Sequence, residues 1–223
     1  PGADRLALSV LVDLDDQGSW LAARMCRSTI RVDRAMSYEA ADEALARDDD
    51  LCALVELAEG LRDQRLAGGA LDTRVPEVNP ALSADGRVTL SRITGNSRSR
   101  AMVAEWAVRA NEVAARYCWE NRIPAIYRCQ DLKRPLPAEH QPTERLSVYR
   151  ATRCLGQTLL DAVPRRHAGL GLEAYLQITS PLRRYLDLAI QRQISAHLAG
   201  EAPPLDTDAM DATAAAAQPV LSH

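Results

Sequence analysis

Apolar and polar positions alternate through LALSVLVDL, residues 6–14, and again through the returning stretch SWLAARMCRSTIRV, residues 19–32, with DDQG joining them. Period-two patterning on both sides of an Asp/Gly turn predicts a β-hairpin. The period then changes. MSYEAADEALA predicts a short helix opening at Ser37. LCALVELAEGLRDQRLAGG predicts a longer one, with Leu51, Leu54, Val55, Leu57, Ala58 and Leu61 on its apolar face and Gly68-Gly69 as its stop. From Ala70 to Ile93 come short extended pieces broken by Pro76, Pro80 and Asp85-Gly86.

The longest helical pattern runs from Ser97 to Asn121, with Met102, Val103, Trp106, Val113, Ala114 and Tyr117 as its stripe and Pro124 closing it. A strand-like AIYR and a Pro-rich loop, KRPLPAEHQPTE, follow. ERLSVYRATRCLGQTLLDA then reads as a helix, RRHAGLGLEAYLQI as part loop and part strand, and the chain from Ser180 to about Leu198 as a final helix. Residues 1–200 form the expected domain. Residues 201–223, with an Ala run between prolines, read as a C-terminal tail, either a helix cut short or a frayed end. There is no internal repeat. These elements predict an α+β fold of mixed sheet segments packed by several helices.

Composition narrows this. The chain has 223 residues, of which 47% are hydrophobic, yet it has no Phe, so its core must be small aliphatic packing. No apolar run approaches the ~20 residues needed to cross a bilayer, and no basic region precedes the first apolar stretch. The five cysteines are scattered without a CxxC pair, which argues for reduced thiols and against a disulfide frame or zinc knuckle. These features make a cytoplasmic protein with no membrane partner, and a monomer, the expectation.

The net charge of −3 is no nucleic-acid footprint, but charge is unevenly placed. Residues 39–63 carry nine acidic residues against Arg47 and Arg62, whereas residues 145–184 carry seven arginines against Asp161 and Glu173. A basic face toward an anionic ligand is compatible with this pattern. A solvated Arg-rich surface is the plain alternative.

The sharpest local signal is YLQITSPLRRYLDL, residues 175–188. Ser180-Pro181 has the form of a helix start, a capping hydroxyl followed by the one residue whose missing N–H costs nothing there. Leu182, Leu186, Ala189 and Ile190 are the expected inward stripe. Arg183 and Arg184 would then lie in the first turn, where the helix dipole favours anions and two cations are unfavourable unless something negative joins them. Arg suits a phosphate clamp, since its fork makes two parallel hydrogen bonds. A structural pair of Arg184 with Asp187 or Asp161 satisfies the same spacing.

GLGLEAYLQITSPLRRYLDL closely resembles the signature near the end of the catalytic (RNB) domain of the ribonuclease II and ribonuclease R family. Upstream, the first hairpin with RSTIRVDRAMSYEA, the segment GGALDTRVPEV and the helix MVAEWAVRANEVAARY are similar to that family in the same order. The resemblance covers residues 4 to 200. It implies an exoribonuclease that hydrolytically removes nucleotides from single-stranded RNA in the 3′-to-5′ direction with Mg2+. It also implies site roles: Arg183 as the catalytic arginine holding the phosphate, Tyr38 as a guide for the RNA 3′ end, and Glu105 at the terminal sugar. Arg184, Ser180 and His167 join them as substrate-binding candidates. His167 is equally readable as a loop histidine bonded to backbone, His197 as exposed helix surface, and Asp187 as the residue that orients an arginine.

The aspartate cluster that holds the family's metal ions has no match in this chain, so the chain reads as an RNB-type catalytic domain lacking its N-terminal part. Asp13, Asp15 and Asp16 are the tempting substitute, but Asp15-Asp16-Gln17-Gly18 has the make-up of a hairpin turn. Where the family often has two glutamates on the central helix, this chain reads Ala104-Glu105. Thr73 stands in place of a base-stacking phenylalanine, and Gln191 stands where a histidine is common. A relative that binds RNA without cutting it, and an unrelated scaffold with a coincidental arginine pair, are the competing readings.

Overall fold

The computed structural model describes residues 1–219 apart from Asp16, Gln17, Ser19, 73–76, Ala84, 94–96 and 137–144. The readings placed on Asp16 and Thr73 therefore lie outside the described residues, as does most of the Pro-rich loop. The alternating segments form the expected hairpin. β1 (Asp4–Leu14) and β2 (Trp20–Arg31) pair antiparallel from Asp4 opposite Arg31 to Leu14 opposite Trp20, with a register shift after Asp13. Gly18, at φ +75°, donates its N–H to the Asp15 carbonyl at 2.9 Å, a backbone state that glycine adopts without strain.

Side-chain caps set the next two helices. Ser37 accepts from the Ala40 N–H to open α1 (Tyr38–Ala44), and Asp48 accepts from the Leu51 N–H to open α2 (Asp49–Ala67), which ends at Gly68. α2 buries Val55, Ala58 and Leu61. β3 (Glu77–Leu82) and β4 (Val88–Ile93) make a second hairpin, with Pro80 opposite Leu90.

Ser97 caps α3 (Arg98–Glu120), the axis of the molecule, which packs against α1, α2 and both strands of the first hairpin. Its Val113, Ala114, Ala115 and Cys118 join Ile126, Tyr127, Leu176, Ile190 and Ile194 in one core of mostly small aliphatic side chains. All five cysteines are free, and burial pushes the Cys118 thiol up to about 12, where it is inert.

Two helices differ from expectation. α4 is only Arg145–Thr152, because the chain after it is captured by the loop at 131–132. Leu155 bridges Leu132, Gly156 donates to the Asp131 carbonyl at 2.7 Å, and β6 (Leu159–Asp161) pairs with β5 (Tyr127–Cys129). A Cβ on Gly156 would sit 2.9 Å from the Asp131 oxygen, so this approach needs glycine. The final predicted helix likewise starts late. α5 spans Tyr185–Leu198, with Arg184 in an extended conformation as its cap, while 180–184 form a separate turn in which the Arg183 and Arg184 N–H groups both donate to the Ser180 carbonyl. Leu182, expected to face inward, is fully exposed on that turn, whereas Ala189 and Ile190 are buried as expected. His197, expected on the helix surface, is half-buried edge-on to Tyr117, with ring centroids 5.8 Å apart.

Beyond Gly200 the chain forms α6 (Thr207–Ala217), capped by Asp206 and burying Met210 and Ala214 in the main core. Among the described residues the strands form three separate two-stranded antiparallel sheets, and helices share the core with strands and loops, so the architecture is α+β. No helix of the described residues is long and apolar enough to cross a membrane.

Candidate functional site

A cleft of about 670 Å³ opens beside the start of α5. α5 and the turn before it contribute Arg183, Arg184, Tyr185, Leu186, Asp187 and Ile190. α6 contributes Ala212, Thr213 and Ala216, and β5 with its flank contributes Ile126 and Arg128. Its walls are largely aliphatic and its charge is cationic, an arrangement that suits a flexible anion with an apolar part.

The two adjacent arginines do different things. Arg184 is bound to Asp187 through two parallel hydrogen bonds, Nε to Oδ1 at 2.9 Å and a terminal nitrogen to Oδ2 at 2.6 Å. Asp187 is buried, and its Oδ2 also accepts the Ser180 N–H at 2.8 Å, so one carboxylate ties the 180–184 turn to the first turn of α5. A third contact links Arg184 to the Thr179 hydroxyl at 3.4 Å. The expected structural pair is therefore Arg184 with Asp187, while Asp161 pairs with Arg165 instead. Arg183 lies exposed on the cleft, and its guanidinium forms no hydrogen bond or ion pair among the described residues. Ser180 acts here through its backbone, donating to Asp187 and accepting from both arginines.

His167 sits behind this region. Its ring meets Tyr175 edge-on at 5.4 Å between centroids, and its buried Nδ1 has no partner. Burial, with a smaller contribution from the nearby Arg128 guanidinium, lowers its pKa to about 4, so the ring is neutral at physiological pH. The Tyr175 hydroxyl accepts from the Asn111 amide at 3.1 Å, while Asn111 also accepts the Ile178 N–H at 2.9 Å, which fixes the extended run 175–178 leading into the turn. The nearby GLG is a tight 3-10 turn. Gly171, at φ +66°, has the Ala70 backbone where its Cβ would be, so the glycines serve a close approach of chains.

Tyr38 and Glu105 do not line this cleft. Tyr38 opens α1 half-buried, with the Arg100 guanidinium 4.2 Å over its ring. Glu105 is buried on α3, and both its oxygens are engaged by Arg65, at 3.2 and 2.7 Å, with Arg109 Nε a further 3.4 Å from Oε1. Two polar residues of the cleft, Arg128 and Gln177, were not among the site candidates. Arg128 was legible as the single charged position in an otherwise buried three-residue strand, whereas Gln177 carries no such signal.

Among the described residues, no group of three or more His, Cys, Asp or Glu could hold a metal ion. The described part of this chain therefore does not fit the magnesium that the resemblance implies. Asp13 lies within β1 opposite Ala22, and the Asp15 carbonyl closes the turn.

Comparison with known proteins assigns the class. The family model described as the RNB domain matches residues 1–147 and 132–200. The chain belongs to the RNB-domain family. An uncharacterized ribonuclease of Synechocystis sp. is 34% identical over 207 residues, which cover 89% of this chain and 31% of that protein. Among solved structures, ribonuclease R of Mycoplasma genitalium in complex with ribose-methylated single-stranded RNA superposes with a TM-score of 0.81 at 19% identity, covering 99% of this chain and 42% of that one. Yeast Ssd1, described as a pseudonuclease, superposes at 0.72 with 18% identity, covering 97% and 32%. The chain spans about a third of the length of the curated relatives it matches.

Proposed function

We propose that this chain carries the phosphate-holding side of a 3′-to-5′ exoribonuclease that hydrolyses single-stranded RNA, with Arg183 contacting the phosphate. One observation carries the reading: of two adjacent arginines on the same turn, Arg184 is neutralised by a buried carboxylate and Arg183 faces the cleft with no counter-charge among the described residues. A guanidinium fork that is not engaged by the fold is available to bind a phosphate through two hydrogen bonds. Charge stabilisation of this kind matters most where negative charge builds on a phosphoryl group during displacement. The Asp187 bridge fixes the backbone of the turn from which Arg183 projects.

Tyr38, by resemblance, guides the RNA 3′ end along the approach. Glu105 does not enter the proposal as a sugar contact, because its carboxylate is already occupied by Arg65. Magnesium belongs to the proposal for the whole enzyme only. A relative that binds single-stranded RNA without cutting it is the second reading.

A decay assay on a 5′-labelled single-stranded RNA, with and without magnesium, separates these. For the full-length protein a magnesium-dependent ladder that Arg183→Ala abolishes is the expected result. Salt-sensitive RNA binding with no ladder at any magnesium concentration would favour the binding-only relative. An undiminished ladder from Arg183→Ala would overturn the role of that residue.

A further inference from the structure

Arg183 is not alone in the cleft. Arg128, on the middle position of β5, also lines it, is half-buried, and makes no side-chain hydrogen bond or ion pair among the described residues. Its backbone is pinned, the N–H donating to the Tyr175 carbonyl at 2.8 Å, so the side chain leaves a fixed point on the sheet. Asp187 softens its charge only slightly, and Arg184 already holds that carboxylate on both oxygens. Beside it Gln177 lines the same cleft, and its buried Oε1 has no partner. The Gln177 amide carries donors as well as that acceptor.

Partial burial of a cation without a counter-ion is unfavourable, and the effect shows in the Arg128 guanidinium, whose pKa is lowered chiefly by desolvation. Elsewhere the protein avoids this. The buried or half-buried Arg62, Arg65 and Arg109 each meet a carboxylate, Asp72, Glu105 and Glu112 respectively. A half-buried arginine that shares its cleft with an uncompensated Arg183 is the composition of an anion site.

We propose that Arg128, with the Gln177 amide, is a second phosphate-contacting position of the cleft, holding a backbone phosphate of the same RNA strand whose reacting phosphate Arg183 holds. The inference rests on the reading of Arg183 given above and adds a residue to it. Two arginines on two different elements, one on a strand and one on a turn, define a direction for the strand as well as a point of attachment, which a single arginine cannot do. Arg128 is a binding and positioning residue, and Arg183 the one at the reacting phosphate.

The test uses the full chain and a short 5′-labelled single-stranded RNA, with affinity measured by fluorescence anisotropy across a salt series for wild type, Arg128→Gln and Arg183→Gln, alongside thermal melting of each. Each lost phosphate contact should lower the slope of log affinity against log salt by about 0.7. Arg128→Gln is expected to weaken binding about tenfold, the worth of one charge-assisted contact, while its melting temperature holds or rises because an unpaired half-buried charge has gone. Arg128→Lys should restore part of the slope. Weakened binding together with a clear fall in melting temperature would mean a structural role and overturn the inference. An unchanged slope in Arg128→Gln with a reduced slope in Arg183→Gln would overturn it while leaving the reading of Arg183 intact. No RNA binding by wild type, or an unchanged Arg183→Gln, would overturn both.

Discussion

Along α3, arginines and carboxylates interlock. Arg65 reaches from α2 to both oxygens of Glu105, Arg109 bridges Glu105, Glu112 and the Leu61 carbonyl, and the exposed Arg116 takes the other Glu112 oxygen. Around the start of α5 the same residue type is handled in the opposite way. Arg184 is satisfied by Asp187, yet Arg128 and Arg183 face the cleft with no carboxylate of their own among the described residues. Partial burial alone does not set the contrast, since among the described residues half-buried Arg65 meets a carboxylate and half-buried Arg128 does not. The difference lies in whether the fold supplies the counter-charge. Where it does, arginine is architecture that joins helices; where it does not, the energy left unsatisfied is available to a ligand.

The largest consequence belongs to the closed network. Glu105→Ala strands the nearly buried Arg65 guanidinium and leaves Arg109 with Glu112 alone, and should lower unfolding free energy by about 3–5 kcal/mol in urea titration. A loss below ~1 kcal/mol would show that water replaces the carboxylate freely and that α3 does not differ from the cleft. Arg184→Gln is the matching change at the cleft. It leaves buried Asp187 with only the Ser180 N–H, and about 2–3 kcal/mol is expected, with the 180–184 turn loosened.

A smaller effect follows from His167. Burial lowers its folded pKa from 6.5 to about 4, so the folded protein favours the neutral ring. That stabilisation is fully present above pH 6.5 and is lost as pH falls toward 4, a loss on the order of 2 kcal/mol that His167→Gln should flatten in a pH series of melts. Protonation would also add a second cation beside Arg128, so RNA binding near pH 5 should not improve through this residue unless the fold opens.

Much of this was readable from residues three and four apart. Ser37 and Ser97 cap the helices they were expected to cap, Gly68 ends α2, and the Asp/Gly turn joins the first hairpin. The failures came where distant chain decided the outcome. Nothing local in RCLGQTLLDA shows that Asp131 and Leu132 will draw Leu155 and Gly156 out of a helix. Ser180-Pro181 did open a helical turn, but Asp187 captures the Ser180 N–H, and Arg184 takes an extended conformation, so the helix restarts at Tyr185. The doubled arginine marked the candidate site and offered Arg184 with Asp187 or Asp161 as a structural pair; only the fold shows that Asp187 holds Arg184 while Asp161 pairs with Arg165. Glu105 and Arg65 are forty positions apart, and their pairing has no sequence signature.

The twin arginines offer the most direct measurement: unfolding free energy and single-stranded RNA affinity, side by side, for Arg183→Gln and Arg184→Gln. Arg183→Gln should stay within about 0.5 kcal/mol of wild type in stability, as an exposed unpaired side chain does, while binding RNA about tenfold more weakly. Arg184→Gln should lose stability first. If Arg183→Gln instead destabilises the fold as much as Arg184→Gln, or binds RNA as wild type does, then the free guanidinium on the cleft is not the phosphate contact.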